Sequence, residues 1–327
     1  MRAAKRKHEV RSKQSESSTH MRICVVGCGA VGSLFAAHLA RAGEAEVWAY
    51  DVWKEHTDAI GKHGLKLSGA ANFTAQLKAT TDPRELPRCD YGIVATKSID
   101  TRRAIAEVAH IFDEHSAVCS VQNGVGNEEI IAEYVKFAIR GTTFPAGHPI
   151  GPGHIAYDIQ GDTWIGPFES SHTPMAKVEE LAGLLTRSGM HTIALEDARG
   201  AQWTKLIFNA STNPVGALTL LDHGSATRFG PTGQLFADLI AEGKAVAKKL
   251  GITLHGDPWE LVEKGANAPG KHRASMLQDV LARRRTEVDF MNGAIVAWGE
   301  KVAVPTPLNR ALLALIKGLE HSWQDPE

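Results

Sequence analysis

The sequence predicts an α/β fold in which a parallel sheet with crossover helices is followed by an all-helical second part. Short apolar runs alternate with helical patterns in the first part; the runs lie at 23–26, 46–51, 91–96 and 117–121, and the helical patterns at 30–42, 101–112 and 127–136. Such alternation is typical of a parallel sheet. After Asp197 the strand patterns stop, and helical spacing continues at 199–221, 231–250, 257–265, 275–300 and 307–321.

Two domains are expected in a chain of 327 residues, since domains usually hold about 100–200 residues. We place the boundary near residue 197, which gives a sheet domain at 21–197 and a helical domain at 198–327. Residues 1–20 are basic and lack a hydrophobic segment, which indicates a disordered extension and not a secretory signal. A targeting or nucleic-acid-binding arm is the alternative for this stretch.

The segment from 140 to 170 is rich in glycine and proline, and its pattern differs from that of the preceding strands. We expect strands near 154–158 and 162–166 that extend the sheet in the antiparallel sense. A further helix at 174–188 and a strand at 191–195 complete the first domain.

Composition argues against several classes of protein. The formal net charge of −1 does not indicate a nucleic-acid partner, although it leaves a local basic patch open. No apolar run approaches the roughly 18–20 residues of a membrane span. The four cysteines contain no CxxC pair, so we expect reduced, buried thiols in a cytoplasmic protein and neither a metal site nor a disulfide framework.

A glycine motif lies between the first predicted strand and the first predicted helix. It consists of Gly27, Cys28, Gly29, Ala30, Val31 and Gly32, which fit GxGxxG. In this context the motif is typical of a Rossmann-type, doubly wound sheet that holds a dinucleotide pyrophosphate at the helix N-terminus. A tight turn that binds no ligand is the alternative.

Asp51 ends the second predicted strand, at the position where an acidic residue can accept hydrogen bonds from a ribose 2′-hydroxyl. A carboxylate there repels a 2′-phosphate, so Asp51 favours NADH over NADPH. Lys54 could weaken that repulsion, and a solvated loop charge is the alternative role for Asp51.

A polar stripe lies within an apolar helical stretch of the second domain. Lys205, Asn209 and Asn213 recur every four residues and therefore share one face of a helix. This stripe could be a solvated face, but paired asparagines next to Phe208 favour a site. Pro214 is expected to disturb the helix at this level.

Several segments together resemble the ketopantoate reductase family. They are Gly27–Gly32, Ala95–Ser98, Val121–Gly124, Trp203–Pro214, Ser275–Asp279 and Arg285–Glu287. The resemblance covers nearly all of 21–321. It implies a Rossmann-type N-terminal domain, a helical C-terminal domain and an active site between the two.

The resemblance also implies roles for individual residues. Lys205 corresponds to the general acid and Glu287 to a glutamate that binds the substrate hydroxyl. Asn209, Asn213 and Ser275 match substrate-binding positions, and Lys97 and Asn123 match residues that face the cofactor. Each has a structural alternative: Glu287 as a surface charge paired with Arg283 or Arg284, Ser275 as a helix cap with Gln278, and Asn123 as part of a turn.

Two substrate-binding positions depart from the usual family pattern, which has asparagine at both. His223 and His272 occupy them here, and histidine differs from asparagine in shape and titrates near neutral pH. These histidines and Asp51 leave the substrate and the choice between NADH and NADPH open.

The leading functional hypothesis is reduction of 2-dehydropantoate to (R)-pantoate, the hydroxy acid used in pantothenate synthesis. The alternatives are a D-2-hydroxyacid dehydrogenase for another branched or aromatic 2-oxo acid, and a nucleotide-sensing protein without turnover. The resemblance further implies a homodimer that involves helices 231–250 and 275–300. Neither nucleic acid nor membrane is expected as a partner.

Overall fold

The computed structural model describes residues 21–268 and 273–323. Its strands are β1 (Arg22–Val26), β2 (Glu46–Tyr50), β3 (Leu65–Gly69), β4 (Phe73–Ala75), β5 (Lys78–Thr80), β6 (Tyr91–Val94), β7 (Ala117–Ser120), β8 (Phe137–Thr143), β9 (Ala146–Gly151), β10 (His154–Ile159), β11 (Thr163–Pro167) and β12 (Thr192–Ala194). Its α-helices are α1 (Ala30–Ala42), α2 (Lys54–His63), α3 (Thr101–Val108), α4 (Asn127–Ile131), α5 (Met175–Arg187), α6 (Arg199–Thr219), α7 (His223–Arg228), α8 (Gly230–Lys249), α9 (Pro258–Ala266), α10 (Ser275–Leu281), α11 (Asn292–Lys301) and α12 (Pro307–Ser322).

The first half is built on an eight-stranded sheet with the order β12-β11-β8-β7-β6-β1-β2-β5. The six strands from β8 to β5 pair in parallel, and β11 pairs antiparallel with β8. Starting at β1, the chain builds outward in one direction to β5 and then in the other direction from β6. This reversal is the doubly wound arrangement. The predicted α/β fold with a helical second part is therefore confirmed.

A smaller sheet with the order β4-β3-β10-β9 packs over α1. The prediction of an antiparallel addition to the main sheet is confirmed for β11 and wrong for β10. The reason is that β10 pairs in parallel with β3 and antiparallel with β9, neither of which the sequence pattern indicates. The elements α2, β3, β4, β5, β8, β9 and α7 were likewise not predicted.

The second half consists of α6 to α12 around a core that includes Trp203, Phe236 and Ile295. The prediction of one helix over 275–300 is wrong, because α10 ends at Leu281 and α11 begins at Asn292. Arg283 has a φ of 49°, outside the helical region, and breaks the segment there. The residues between these two helices include Glu287.

The central helix α6 continues through Pro214, so the expected disturbance does not interrupt it. A proline cannot donate to the carbonyl four residues earlier, which here belongs to Ala210. The side chain of Asn292 replaces that donor, with its Nδ2 atom 2.9 Å from the Ala210 oxygen. The helix therefore continues because a neighbouring element supplies the missing hydrogen bond.

Among the described ranges, no helix is long and apolar enough to cross a membrane.

Candidate active site

The glycine turn lies where the strand order reverses, between β1 and β6. Gly27 has a φ of 88°, and a Cβ atom added to it would lie 2.5 Å from the Thr96 side chain. A Cβ atom on Gly32 would lie 1.9 Å from the Gly27 carbonyl oxygen. Both positions therefore need glycine, the first for its backbone conformation and contact with the β6 loop, and the second for close packing of α1.

The N-terminus of α1 offers an open cradle for a phosphate group. Gly29 caps the helix without a side chain, so the N–H groups of the first turn remain available. A Cβ atom on Gly29 would meet no described atom within 4 Å, which leaves open space in front of that turn. This geometry, with Ala30 and Val31 in the first turn, suits a dinucleotide pyrophosphate.

Cys28 lies inside the glycine turn and is fully buried. Burial raises the pKa of its thiol to about 12, so the thiol is neutral and unreactive at physiological pH. The other cysteines, Cys24, Cys89 and Cys119, are also buried free thiols. Among the described residues no cluster of His, Cys, Asp and Glu could hold a metal ion.

Asp51 follows β2 and is hydrogen-bonded to the glycine turn, so it is not a solvated loop charge. Its Oδ2 atom accepts a hydrogen bond of 2.6 Å from the Cys28 N–H, and its Oδ1 atom accepts one of 2.8 Å from the Trp53 N–H. Each carboxylate oxygen can accept a further hydrogen bond. The carboxylate therefore orders the turn and keeps capacity for a ribose hydroxyl.

Glu287 connects the helical half to the loops that follow β6 and β7. It is 4% exposed, and its Oε1 atom accepts a hydrogen bond of 2.9 Å from the Ser98 N–H. The Oε2 atom lies 3.7 Å from Lys97 Nζ and 3.5 Å from Asn123 Nδ2. The structure therefore brings together Lys97, Asn123 and Glu287, and the alternative of a surface charge for Glu287 is wrong.

Lys97 contacts a second carboxylate across the crevice, by which we mean the space between the sheet half and the helical half. Its Nζ atom lies 2.6 Å from Asp279 Oδ2, and Asp279 also binds Arg284 at 3.1 Å. Burial lowers the pKa of Lys97, but Glu287 and Asp279 outweigh burial and raise it overall. Lys97 is therefore a permanent cation held between two acids.

The loops that carry Lys97 and Asn123 are fixed by a buried polar network. Gln122 Nε2 donates to the Thr96 carbonyl at 3.0 Å and to Thr101 Oγ1 at 2.8 Å. Asn127 accepts from Thr101 at 2.8 Å and donates to the Asn123 carbonyl at 3.1 Å. These contacts hold the two loops in one arrangement at the carboxyl edge of the sheet.

Lys205 points from α6 toward the first half and not into bulk solvent. Its ammonium donates to the Thr143 carbonyl at the end of β8 and lies 5.4 Å from the centre of the Phe144 ring. Burial lowers the pKa of Lys205 to about 8, although Glu287 acts in the opposite direction. A lysine with this pKa can both carry and release a proton near neutral pH.

Asn209 and Asn213 extend the Lys205 face of α6. They are 6% and 7% exposed, so this face is buried and not a solvated stripe. Asn213 Nδ2 lies 3.7 Å from Met291 Sδ, next to the segment that holds Glu287. The face therefore runs from Lys205 toward the Glu287 segment.

Ser275 is the first residue of α10, which packs against α6. The expected capping by Ser275 is wrong, because the N-cap residue is Ala274 and Gln278 donates to the Arg273 carbonyl at 3.3 Å. Since Ser275 lies inside the first turn, it cannot cap the helix from that position. Substrate binding by Ser275 stays a prediction.

Of the two histidines that replace the asparagines of the usual family pattern, the structure describes only His223. His223 is buried between the Phe208 and Phe236 rings, and its Nε2 atom lies 2.9 Å from the Val262 carbonyl oxygen. This contact places the ring against α9, and the substrate-binding role of His223 stays untested. His272 lies outside the described residues.

Sequence reasoning missed Asp279 and Gln122 as site residues, although both lie inside segments that carry the family resemblance. The polar residue types in otherwise apolar surroundings were the available signal. Thr143 contacts Lys205 through its backbone carbonyl, which no side-chain pattern can indicate.

Comparison with known proteins shows a match in both halves. The family described as "Ketopantoate reductase PanE/ApbA" matches residues 23–170, and "Ketopantoate reductase PanE/ApbA C terminal" matches residues 197–320. A 2-dehydropantoate 2-reductase of Archaeoglobus fulgidus is 33% identical over 303 residues, which cover 91% of this chain and 98% of that protein. The corresponding protein of Pyrococcus horikoshii is 34% identical over 301 residues, 92% of this chain and 98% of its own.

Solved structures show the same likeness. A PanE/ApbA family ketopantoate reductase from Ralstonia eutropha superposes with a TM-score of 0.84 at 29% identity, covering 93% of this chain and 100% of that one. A D-mandelate dehydrogenase in complex with NADH and anilino(oxo)acetate also has a TM-score of 0.84, at 26% identity, with the same coverage. The likeness extends over both halves of the chain.

Proposed function

Since this chain belongs to the ketopantoate reductase family, we propose that it reduces 2-dehydropantoate to (R)-pantoate with a nicotinamide cofactor. The observation that carries this proposal is the placement of Lys205: its ammonium faces the sheet domain, where it donates to the Thr143 carbonyl, and its pKa is lowered by burial although Glu287 opposes the shift. Retention of both groups argues against a nucleotide sensor without turnover. The product is the hydroxy acid used in pantothenate synthesis.

Different residues of the crevice contribute to different steps of the proposed reduction. The Gly27–Gly32 turn would hold the dinucleotide, which would supply the hydride when bound. Lys205 donates a proton to the substrate oxygen and stabilises the negative charge that develops there. Glu287 accepts a hydrogen bond from a substrate hydroxyl, since the Ser98 N–H holds its carboxylate in place.

The substrate carboxylate and carbonyl require donors on the helical side. Asn209 and Asn213 lie on the Lys205 face, and Ser275 lies at the N-terminus of α10, where backbone dipoles favour an anion. Lys97 and Asn123 hold Glu287 and orient the cofactor side of the crevice. Together these residues would bind the 2-oxo acid within reach of the Lys205 ammonium.

A panel of 2-oxo acids assayed with NADH and NADPH tests the proposal. We expect turnover of 2-dehydropantoate, with (R)-pantoate identified by chiral chromatography and loss of turnover in Lys205→Ala. Absence of turnover with every 2-oxo acid and both cofactors would contradict an enzymatic role.

We propose NADH as the preferred cofactor, on the basis of the Asp51 carboxylate at the glycine turn. Replacement of Asp51 by Ser should raise kcat/KM for NADPH relative to NADH. The matched control is Asp238→Ser, since Asp238 is an exposed acid on α8 in the helical half, away from the glycine turn. A wild-type preference for NADPH would refute the assignment.

An aromatic 2-oxo acid is the second candidate substrate. A cavity of about 100 Å³ includes Phe144, Trp164, Ala201, Thr204 and His255 in its lining, and Phe144 lies directly beside the Lys205 ammonium. The likeness to D-mandelate dehydrogenase supports the same substrate class. A higher kcat/KM for benzoylformate than for 2-dehydropantoate would establish this alternative.

A homodimer is the proposed assembly. Phe229, Leu281 and Leu315 expose more than half of their surface on the helical half. Phe229 directly precedes α8 and Leu281 ends α10, so both lie at the helices to which the family resemblance assigns the dimer contact. Light scattering coupled to size-exclusion chromatography should give twice the chain mass of 35.3 kDa.

A further inference from the structure

A second group of polar side chains, three of them buried and the fourth exposed, lies on and around β8 and α6, next to the Lys205 contact. We call it the Arg140 cluster; it comprises Glu128 on α4, Arg140 on β8, Glu169 after β11 and Gln202 on α6. Glu128, Arg140 and Gln202 are 0%, 5% and 2% exposed. The function proposed above assigns no role to any of these residues.

The side-chain amide of Gln202 forms hydrogen bonds at both ends, one with Arg140 and one with Glu128. Its Oε1 atom accepts a short hydrogen bond from Arg140 Nη1, and its Nε2 atom donates to Glu128 Oε1 at 2.8 Å. Arg140 is anchored in turn by Glu169 Oε2 at 2.8 Å. A side-chain amide that is hydrogen-bonded at both ends restrains its helix more tightly than apolar contact does, both in rotation about the helix axis and in position along that axis.

The cluster joins the same two elements as the Lys205 contact. Arg140 and Thr143 lie on β8, three residues apart, and Gln202 and Lys205 lie on α6 with the same spacing. Gln202 binds Arg140, and Lys205 donates to the Thr143 carbonyl. A shift of α6 along β8 that breaks the first contact therefore moves the Lys205 ammonium as well.

Stability alone is a poor explanation for this cluster. Within the described residues, Glu128 Oε2 and Arg140 Nε are buried without a hydrogen-bond partner. Burial raises the pKa of Glu128 to about 7, although Arg140 opposes the shift. Buried ion pairs with unsatisfied atoms rarely stabilise more than apolar residues of similar volume, but they can specify one arrangement.

We propose that Gln202 is a positioning residue. Its hydrogen bonds to Arg140 and Glu128 fix the position of α6 relative to β8, and thereby the position of the Lys205 ammonium. This inference rests on the proposed catalytic role of Lys205. It assigns the cluster to catalysis through geometry, without contact between Gln202 and the substrate.

The test replaces Gln202 by Met, which keeps the length of the side chain and removes both hydrogen bonds. We expect kcat to fall by about 10-fold or more, since misplacement by about 1 Å can cost about 100-fold. The dissociation constant of the cofactor should stay unchanged, because the glycine turn lies on other elements. The control is Gln234→Met, an exposed glutamine on α8 that binds Asp238 at 2.9 Å.

A second readout does not depend on turnover. Labelling of Lys205 with an amine-selective reagent, followed by mass spectrometry across pH, reports the titration midpoint of its ammonium. In Gln202→Met we expect this midpoint to rise toward that of an ordinary lysine, because a displaced side chain regains solvent. If the wild type turns over no 2-oxo acid, the proposed function fails, but the labelling experiment still tests the positioning of Lys205.

A pair of Glu128 variants keeps the inference testable if Gln202→Met fails to fold. Glu128→Gln retains an acceptor for Gln202 and should keep kcat and the Lys205 midpoint, whereas Glu128→Met should change both in the same direction as Gln202→Met. The inference is overturned if the two Glu128 variants behave alike. It is also overturned if Gln202→Met loses stability while its kcat and Lys205 midpoint match the wild type.

Discussion

At the scale of single residues, Lys205 combines two conflicting demands. An ammonium that donates a proton must be desolvated enough to release it, and desolvation disfavours the charged form. The lowered pKa of about 8 is the result of that burial, moderated by Glu287.

Removal of the Lys205 ammonium should abolish most turnover. In Lys205→Ala we expect kcat to fall by about 100-fold or more, the usual scale for a general acid, with cofactor affinity largely kept. In the wild type, a general acid must be protonated to act, so activity should fall as the pH rises through about 8. Steady-state rates across pH measure both effects. A kcat of Lys205→Ala equal to that of the wild type would remove the residue from its role.

The same lysine should reduce the stability of the folded protein at neutral pH. Its pKa is lower in the folded state than the ordinary value of 10.5, so between about pH 8 and 10.5 the unfolded chain binds the extra proton. Stability conferred at this position therefore rises as the pH increases through that window. Lys205→Met should have a higher free energy of unfolding than the wild type at pH 7, with a smaller difference at pH 10.

Urea denaturation at the two pH values measures this difference. Lys301→Met is a suitable control, because Lys301 is an exposed lysine at the end of α11. A Lys205→Met variant that is less stable than the wild type at pH 7 would show that the contact with Thr143 outweighs the cost of burial.

Site residues on one element were predictable from the sequence, and contacts between elements were not. The spacing of Lys205, Asn209 and Asn213 determines a shared helix face regardless of the rest of the fold. Asp279 contacts Lys97 over a separation of 182 residues, and the contact depends on how the two halves meet. No local pattern carries that information.

At the scale of elements, α6 shows how a local rule can be overridden by a neighbour. Pro214 should interrupt the helix, yet Asn292 supplies a donor to the orphaned Ala210 carbonyl at 2.9 Å. Asn292 also donates to Asn309 Oδ1 at 3.0 Å, so it joins α6, α11 and α12. The segment between α10 and α11 begins with the break at Arg283, and within it Glu287 accepts a hydrogen bond from the Ser98 N–H of the other half.

A double-mutant cycle at Asn292 and Pro214 tests this account. Asn292→Ala should lower the free energy of unfolding by about 1–3 kcal/mol, because it leaves the buried Ala210 carbonyl unsatisfied. Pro214→Ala restores a backbone donor to that carbonyl, so Asn292→Ala should cost less in the Pro214→Ala background. Additive effects in urea denaturation would show that Asn292 does not act through the Ala210 carbonyl.

At the scale of the whole molecule, the two halves meet through polar contacts that are buried or partly buried. The Ser98 N–H binds Glu287 at 2.9 Å, the Val125 N–H binds the Phe290 carbonyl at 3.1 Å, and Lys97 pairs with Asp279. A buried polar group that loses its partner costs about 1–3 kcal/mol, so separation of the halves is unfavourable at several points at once. This predicts that the halves unfold together, although chains of two domains often do not.

Hydrogen exchange with and without cofactor measures that coupling. A cofactor that binds the folded state at 100 times its dissociation constant adds about 2.7 kcal/mol of stability. We expect the slowest amides of α12, far from the glycine turn, to gain the same protection as those of β1 and β6, because one cooperative transition exposes them all. Protection confined to the first half would mean that the contacts around Glu287 do not couple the two halves, and that each half unfolds on its own.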